Sequence, residues 1–412
     1  MRLHYSIADP FPAYRVDISE LFGVDLARLG LQVQWFMMGR SAAAAPAADP
    51  AATPHAAPQY GQGQPVQLPL QLAGHSLPTR LANRLLAWGC DAGQAVRAAT
   101  RRDVDAVQCR DKFFVALVAA VACRLLGKPF FYWCSYPYPE HHVLEGRQRG
   151  GLRGVLQRVK GAAEFVLLYR VVMRLASHVF VQSEQMRSDI AGYGVPTARM
   201  TAVPMGVPLR LLHWAQHQHT PVVPGRVVYV GTLGAVRRLG LLIESFALLC
   251  QDHPSATLLI VGDGDLPAER QALQTLAAQL QLADRVTFTG FVPMERAWAY
   301  AASAAVCVSP FYPTQVLRST SPTKLVEYLA LGRPVVCNNH PEQSAILQAC
   351  GAGHCVPWSA LAFANAIGDL LADPPAAERL GQAGPSWVAA HRSYPQLAAA
   401  VMARYQQLLP GR

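Results

Sequence analysis

The sequence predicts an α/β protein built from two doubly wound, Rossmann-like parallel-sheet domains facing a cleft. Three observations point there. In each half, short apolar runs alternate with segments of helical apolar spacing, the pattern of strands joined by crossover helices. A stretch rich in Pro, Gly and His separates the halves. The chain has 412 residues, 51% hydrophobic and 15% charged, enough to bury two substantial cores.

The first half opens with an apolar strand over 3–8, a helix over 18–29 stopped by Gly30, and a second strand over 32–38. Residues 41–65 are rich in Ala, Pro, Gln and Gly without apolar periodicity, and read as a disordered surface insertion. A strand over 66–72 and a helix over 78–88 follow. Next come a strand over 106–109, a buried helix over 113–126 and a strand over 129–134. A long basic helical stretch runs over 151–176, then strand 178–182, helix 184–192 and strand 200–204. The first domain thus spans 1–212 and the linker 213–225. His213, His217 and His219 in the linker have no second ligand set, so a solvated hinge is favoured over a metal site. The alternation restarts at Arg226 and fills 226–392, and an amphipathic helix closes the chain over 393–412.

Charge and cysteine content narrow the function. The net charge of +10 calls for an anionic partner, such as nucleotide phosphates or an acidic lipid headgroup. No basic run interleaved with aromatics and no zinc-finger spacing supports nucleic acid. Nine cysteines, odd in number and without a C-x-x-C pair, suit reduced thiols in a cytoplasmic protein. No signal-peptide h-region opens the chain, and its longest apolar run, 113–123, is too short to cross a bilayer. A soluble or peripherally bound protein is expected.

The richest segment is Ser321-Pro322-Thr323-Lys324-Leu325-Val326-Glu327-Tyr328, continuing to Gly332 and Pro334. It reads as a helix capped by Ser321, with Pro322 in the first helical position and Gly332 as the stop. Its first turn offers free N–H groups, the positive end of a dipole and the Lys324 cation, which together suit phosphate. Glu327, one turn on, is placed to accept from a sugar hydroxyl. Two D-x-D pairs, Asp103/Asp105 and Asp263/Asp265, sit beside turns, whose chemistry accounts for them without a metal.

The string S-P-T-K-L-x-E-Y-x-A-x-G-x-P-V-V resembles the donor segment of family-4 glycosyltransferases, of the GT-B fold. Tyr229–Leu233 with Arg237 and Arg238, Val261–Leu266 and Phe288–Pro293 resemble further family segments in the same order. The resemblance implies a nucleoside-diphosphate sugar as donor, a hexosyl-type transfer with retention of configuration, no metal cofactor, and a last helix crossing back to the first domain. It assigns Glu327 to the ribose. The diphosphate falls to Lys324, the backbone of Thr323 and Leu325, and Arg237, assisted by Arg238 beside Gly231 and Thr232. Phe291 and Val292 would border the base.

The chain departs from the family pattern at two places. Ser319 stands eight positions before Glu327, where the family has a glutamate that contacts the donor sugar, and Thr232 replaces the usual arginine. On the acceptor side, the loop 9–17 lacks the usual glycine pair and offers Arg15 instead. Glu140, His141 and His142 lie where the family places a histidine near the transferred sugar; read alone, adjacent histidines on a loop are more often merely exposed.

From Arg147 to Arg174, seven cations face the single acid Glu164 among interleaved apolar residues. That pattern fits either a peripheral membrane surface for a lipid-linked acceptor or a core helix with a solvated basic face. The main expectation is a glycosyltransferase of cell-envelope polysaccharide or lipid-linked saccharide synthesis at the inner face of the cytoplasmic membrane. The alternatives are a non-catalytic GT-B-like partner, motivated by Ser319, and a sugar-nucleotide epimerase.

Overall fold

The computed structural model describes residues 1–13, 15–39, 59–74 and 76–409. They form two compact units, Met1–Pro204 with Tyr394–Arg412, and Met205–Ser393.

In the first unit, eight strands stand in the order β3-β4-β2-β1-β5-β6-β7-β8. They are β1 (Arg2–Ile7), β2 (Gln32–Phe36), β3 (Gln59–Tyr60), β4 (Gln64–Gln67), β5 (Ala106–Arg110), β6 (Phe130–Cys134), β7 (His178–Val181) and β8 (Met200–Ala202). All neighbours run parallel except the β3–β4 pair. Both faces are covered: β6 reads as a continuous apolar run, while β1 and β5 also bury His4, Ser6, Gln108 and Arg110. One face packs helices Leu77–Thr100 and Phe114–Leu125, whose alanines 95, 98, 116 and 119 let the helices lie close on the sheet. The other packs the π-helical segment Asp17–Asp25 and the C-terminal helix Tyr394–Leu408.

In the second unit, six strands run parallel in the order β11-β10-β9-β12-β13-β14. They are β9 (Arg226–Val230), β10 (Thr257–Val261), β11 (Val286–Phe288), β12 (Val306–Ser309), β13 (Val335–Asn338) and β14 (Gly353–Val356). Helices Gly240–Asp252 and Ala360–Ala372 cover one face. Helices Leu209–His217, Met294–Ala302 and Thr323–Ala330 cover the other.

The structure corrects several expectations. The first unit's opening segment ends at Pro204, not residue 212, and the expected linker 213–225 is part of the second unit. Leu209–His217 is a helix whose Leu211 and Leu212 enter the second core, and Val223 N donates to Ser303 O at 2.9 Å. The helix expected over 78–88 runs from Leu77 to Thr100. Of the insertion expected over 41–65, residues 41–58 lie outside the described residues, while 59–65 contribute an ordered hairpin. Tyr60 is buried there, and Gln64 Oε1 accepts from Trp35 Nε1 at 2.8 Å. Two buried anchors fix a stretch that composition alone marks as loop.

Candidate active site

The second unit gathers its cations at the carboxyl ends of β9 and β12, where doubly wound sheets bind ligands. Helix Thr323–Ala330 opens after Pro322, and no side chain caps it. Ser321, expected as the cap, is buried elsewhere: its Oγ accepts from Met205 N at 2.9 Å and donates to Glu342 at 2.7 Å. The first-turn N–H groups of Thr323, Lys324 and Leu325 thus keep their positive end unanswered by a cap.

Lys324 is buried among aromatics. Its Nζ donates to Tyr229 Oη at 2.8 Å and lies 3.9 Å from the Tyr229 ring centroid and 5.4 Å from that of Phe311. The Tyr229 hydroxyl in turn donates to Thr232 O at 3.0 Å, and burial pushes its pKa up to about 12. Burial holds the Lys324 amine well below the usual lysine range, with Arg237 pushing the same way and Glu327 opposing. Gly231 makes room for this amine: it sits at φ +148°, and a Cβ there would stand 2.8 Å from Nζ.

Two arginines complete the cluster. Arg237 donates to Thr232 Oγ1 at 2.8 Å and lies over Phe311 at 5.5 Å. Arg238, left-handed at φ +49°, lies over Tyr312 at 4.4 Å. Aromatic faces hold both guanidiniums in place without neutralising them. Glu327 lies one turn below Lys324, and burial pushes its carboxyl up to about 7 against the Trp298 indole N–H, Lys324 and Arg210.

The loop between β12 and this helix is latched on several sides. Phe311 N donates to Asn338 Oδ1 at 2.7 Å, and Asn338 Nδ2 donates back to Phe311 O at 2.8 Å. His340 pairs with Leu317 O at 2.9 Å. Ser319, on the short turn Leu317–Ser319, is buried, and its hydroxyl donates to Gln315 O at 3.4 Å. Phe291 stands 71% exposed after Gly290, while Val292 packs on the core.

Lys324, Arg237, Gly231 and Thr232 are therefore brought together with the start of the Thr323–Leu325 turn, while Arg238 lies over Tyr312, next to Phe311 in the chain. Sequence reasoning missed Tyr229, Phe311, Tyr312, Trp298 and Asn338. Tyr229 lies two residues before Gly231 and so shares its strand face, and Phe311-Tyr312 follows the carboxyl end of β12. Those positions were the available signal. Asp263 accepts from Gly264 N at 2.9 Å and Arg270 at 2.7 Å, and Asp103 is held by Arg101 at 2.7 Å. Among the described residues, no group of three His, Cys, Asp or Glu side chains converges as a metal site would.

In the first unit, His141 and His142 lie on helix Tyr138–Arg149 rather than on a loop. The Pro137-Tyr138-Pro139 run starts the helix directly after β6, with proline in its first turn. His141 Nδ1 meets Tyr136 Oη at 3.2 Å, and burial lowers its pKa. His142 Nδ1 meets Glu164 at 2.5 Å, on the following helix. Glu140 accepts from Tyr169 Oη at 3.0 Å and is turned toward the core, with its pKa raised by burial. Arg15 Nε lies 3.8 Å from Asp17, whose other oxygen pairs with the fully buried Arg110 at 2.7 Å.

Comparison with known proteins decides the family. Residues 23–211 match the model described as Glycosyltransferase Family 4, and residues 224–373 that described as Glycosyl transferases group 1. Both halves of the chain belong to the group 1, family-4 glycosyltransferases. Relatives include the amylovoran biosynthesis glycosyltransferase AmsK of Erwinia amylovora, 29% identical over 38% of each chain. A glycogen synthase of Mycobacterium tuberculosis is 25% identical over 59% of this chain and 56% of its own. A GDP-mannose-dependent phosphatidylinositol monomannoside mannosyltransferase of Mycolicibacterium smegmatis is 31% identical over 36% and 38%. The matches span little more than half of these relatives at most.

Solved structures of the GT-B fold match this chain along its length. Sucrose-phosphate synthase from Thermosynechococcus elongatus has a TM-score of 0.72 at 20% identity, covering 99% of both chains. HepE of Anabaena, solved with UDP-glucose, scores 0.70 at 14% identity, covering 99% of this chain and 100% of its own.

Proposed function

We propose that this protein transfers a hexosyl group from a nucleoside-diphosphate sugar to a saccharide acceptor of surface-polysaccharide or lipid-linked type, with retention of configuration. The observation that supports this most is the Lys324 amine, buried at an uncapped helix start and sharing the Phe311 ring with Arg237. A cation deprived of water, whose direct hydrogen-bond partner is a neutral phenol, is a site suited to an anion. The diphosphate supplies that charge.

As the sugar departs, negative charge grows on the leaving diphosphate. Lys324, the two arginines and the N–H groups of Thr323–Leu325 stabilise it more than the ground state. This charge set does the work of a metal, so the reaction is proposed to need none. Glu327 takes the ribose hydroxyls, and Phe291 and Val292 border the base. In the first unit, His141 orients a hydroxyl, with Arg15 serving the acceptor. The protein would act in the cytoplasm, where nucleotide sugars are made. AmsK, named for amylovoran biosynthesis, and the mannosyltransferase, named for phosphatidylinositol monomannoside, support the acceptor class.

The test is a thermal-shift screen of nucleotide sugars, followed by mass spectrometry of products on lipid-linked and soluble saccharides. A ligand at about 100 times its Kd adds ~2.7 kcal/mol of stability, enough to detect. No nucleotide-sugar binding, or transfer unchanged in Glu327→Ala, would refute the reading. One observation favours a second reading: Ser319 replaces a family glutamate and spends its hydroxyl on a backbone carbonyl. A non-catalytic partner would bind nucleotide but turn over donor only with a second subunit present.

A further inference from the structure

Helices Tyr138–Arg149 and Gly151–Phe165 form a hairpin whose backbones touch. A Cβ at Gly146 would stand 2.7 Å from Gly154 O, and one at Gly154 would stand 2.5 Å from Gly146 O. One at Gly161 would stand 2.8 Å from Pro139 O. Three buried glycines thus make a seam, and the His142–Glu164 contact ties it across.

The seam fixes what the second helix shows outward. At about 100° per residue, Leu152, Val155, Leu156 and Val159 share an arc of about 100°, and Gly154 and Gly161 lie opposite it. The arc is uncovered: Leu152 is 75% exposed, Leu156 61% and Val159 62%. Arg153 and Lys160 flank it on one side and Arg158 on the other, all exposed. The two nearby acids are occupied. Glu145 pairs with Arg149 at 2.8 Å and Glu164 with His142 and Lys160.

We infer that this hairpin is a membrane-docking surface, laid in the plane of an anionic phospholipid leaflet. The occupant follows from the chemistry. An apolar ridge one helix wide, with cations on both flanks, matches acyl chains beneath and anionic headgroups on either side. A core role is ruled out because the hairpin's partner face is already filled, by glycine backbone contacts, on the opposite side. Among the described residues no helix is long and apolar enough to cross a bilayer, so the contact is in-plane. This deepens the acceptor half of the function proposed above, giving a lipid-linked acceptor a surface to which the enzyme comes.

The test is vesicle flotation of the full chain. It uses phosphatidylcholine vesicles with and without phosphatidylglycerol, at two salt concentrations. The chain is expected to float with the anionic vesicles and to be released by salt. A Leu152→Asp/Leu156→Asp/Val159→Asp variant should lower partition at least about tenfold, and Arg153→Glu/Arg158→Glu should abolish the preference for anionic lipid. Circular dichroism and nucleotide binding should be unchanged in both, because every altered residue is exposed. Three results would overturn the inference: no partition of the parent chain, equal partition of the variants, or a ridge that drives self-association measured by sedimentation without lipid binding. Nucleotide binding is read separately, so failure of docking leaves the donor site standing.

Discussion

Burial strips the Lys324 ammonium of water, and the group closest to answering it is a neutral phenol, Tyr229 Oη at 2.8 Å. Its folded pKa therefore lies well below the ordinary 10.5. A depressed lysine contributes stability above its unfolded pKa and loses it as pH falls through the folded value. A diphosphate reverses the shift, so at a pH between the empty-site and bound values binding takes up a proton at Lys324. Calorimetry of UDP or GDP binding in buffers of different ionisation enthalpy measures this uptake. A Glu327→Gln background keeps the neighbouring carboxyl from contributing, and a buffer-independent enthalpy there would refute the coupling. Glu327 behaves with the opposite sign. Its carboxyl is raised from 4.5 to about 7, so its contribution is present below 4.5 and lost as pH rises through about 7. Glu327→Gln should then stabilise the empty protein at pH 8 by at most about 3 kcal/mol while weakening nucleotide binding, seen as opposite shifts in Tm without and with ligand. The sequence made Lys324 and Glu327 legible through their place on a helix start. It did not reveal their aromatic surroundings, because Tyr229, Phe311 and Trp298 come from three other elements.

At the scale of elements, the site depends on the loop 310–322 being held. Asn338, at the end of β13, takes both the N–H and the carbonyl of Phe311, whose ring lies under Lys324 and Arg237. Asn338→Ala should cost about 2–4 kcal/mol, since two buried backbone groups lose their partners. It should also raise KM for donor more than it lowers kcat. Chemical denaturation and steady-state kinetics check the two effects separately. Gly231→Ala tests the space itself: at φ +148° an added Cβ is strained and meets Nζ, so donor affinity should fall at least tenfold with ~1–3 kcal/mol of destabilisation. Unchanged affinity would remove Lys324 from the diphosphate. Strands such as Phe130–Cys134 and Thr257–Val261 were legible because strands buried on both faces are uninterrupted apolar runs. The hairpin at Gln59–Gln67 was not, because its anchors Tyr60 and Gln64 bond to distant Ala13 and Trp35. The breaker-rich stretch after Leu211 misled for the same reason. Its helix is decided by packing on the second core, not by local composition.

At the scale of the whole molecule, the chain order and the units do not coincide. Helix Tyr394–Leu408 follows the second unit in sequence yet completes the first. Tyr394, Ala398, Val401 and Tyr405 are buried in the core against β1, β5, β6 and β7. The Tyr405 ring lies 5.4 Å from Phe131 and 5.2 Å from Phe180, and its hydroxyl donates to Gln108 at 2.6 Å. Tyr394, Val401, Met402 and Tyr405 contribute about 1.5–3 kcal/mol each by burial, comparable in sum to the ~5–15 kcal/mol stability of a whole domain. A chain ending at Ser393 should therefore lose the cooperative melting of its first unit and bind apolar dyes there. The second unit should keep its own sheet and the proposed donor site, because every residue placed in that site lies between Met205 and Ser393. The truncated chain should still be stabilised by a nucleoside diphosphate, while transfer is lost. Calorimetric melts with and without nucleotide distinguish the outcomes. A single unchanged transition would mean that the last helix does not complete the first unit. Loss of nucleotide stabilisation would mean that the donor site depends on more than the second unit.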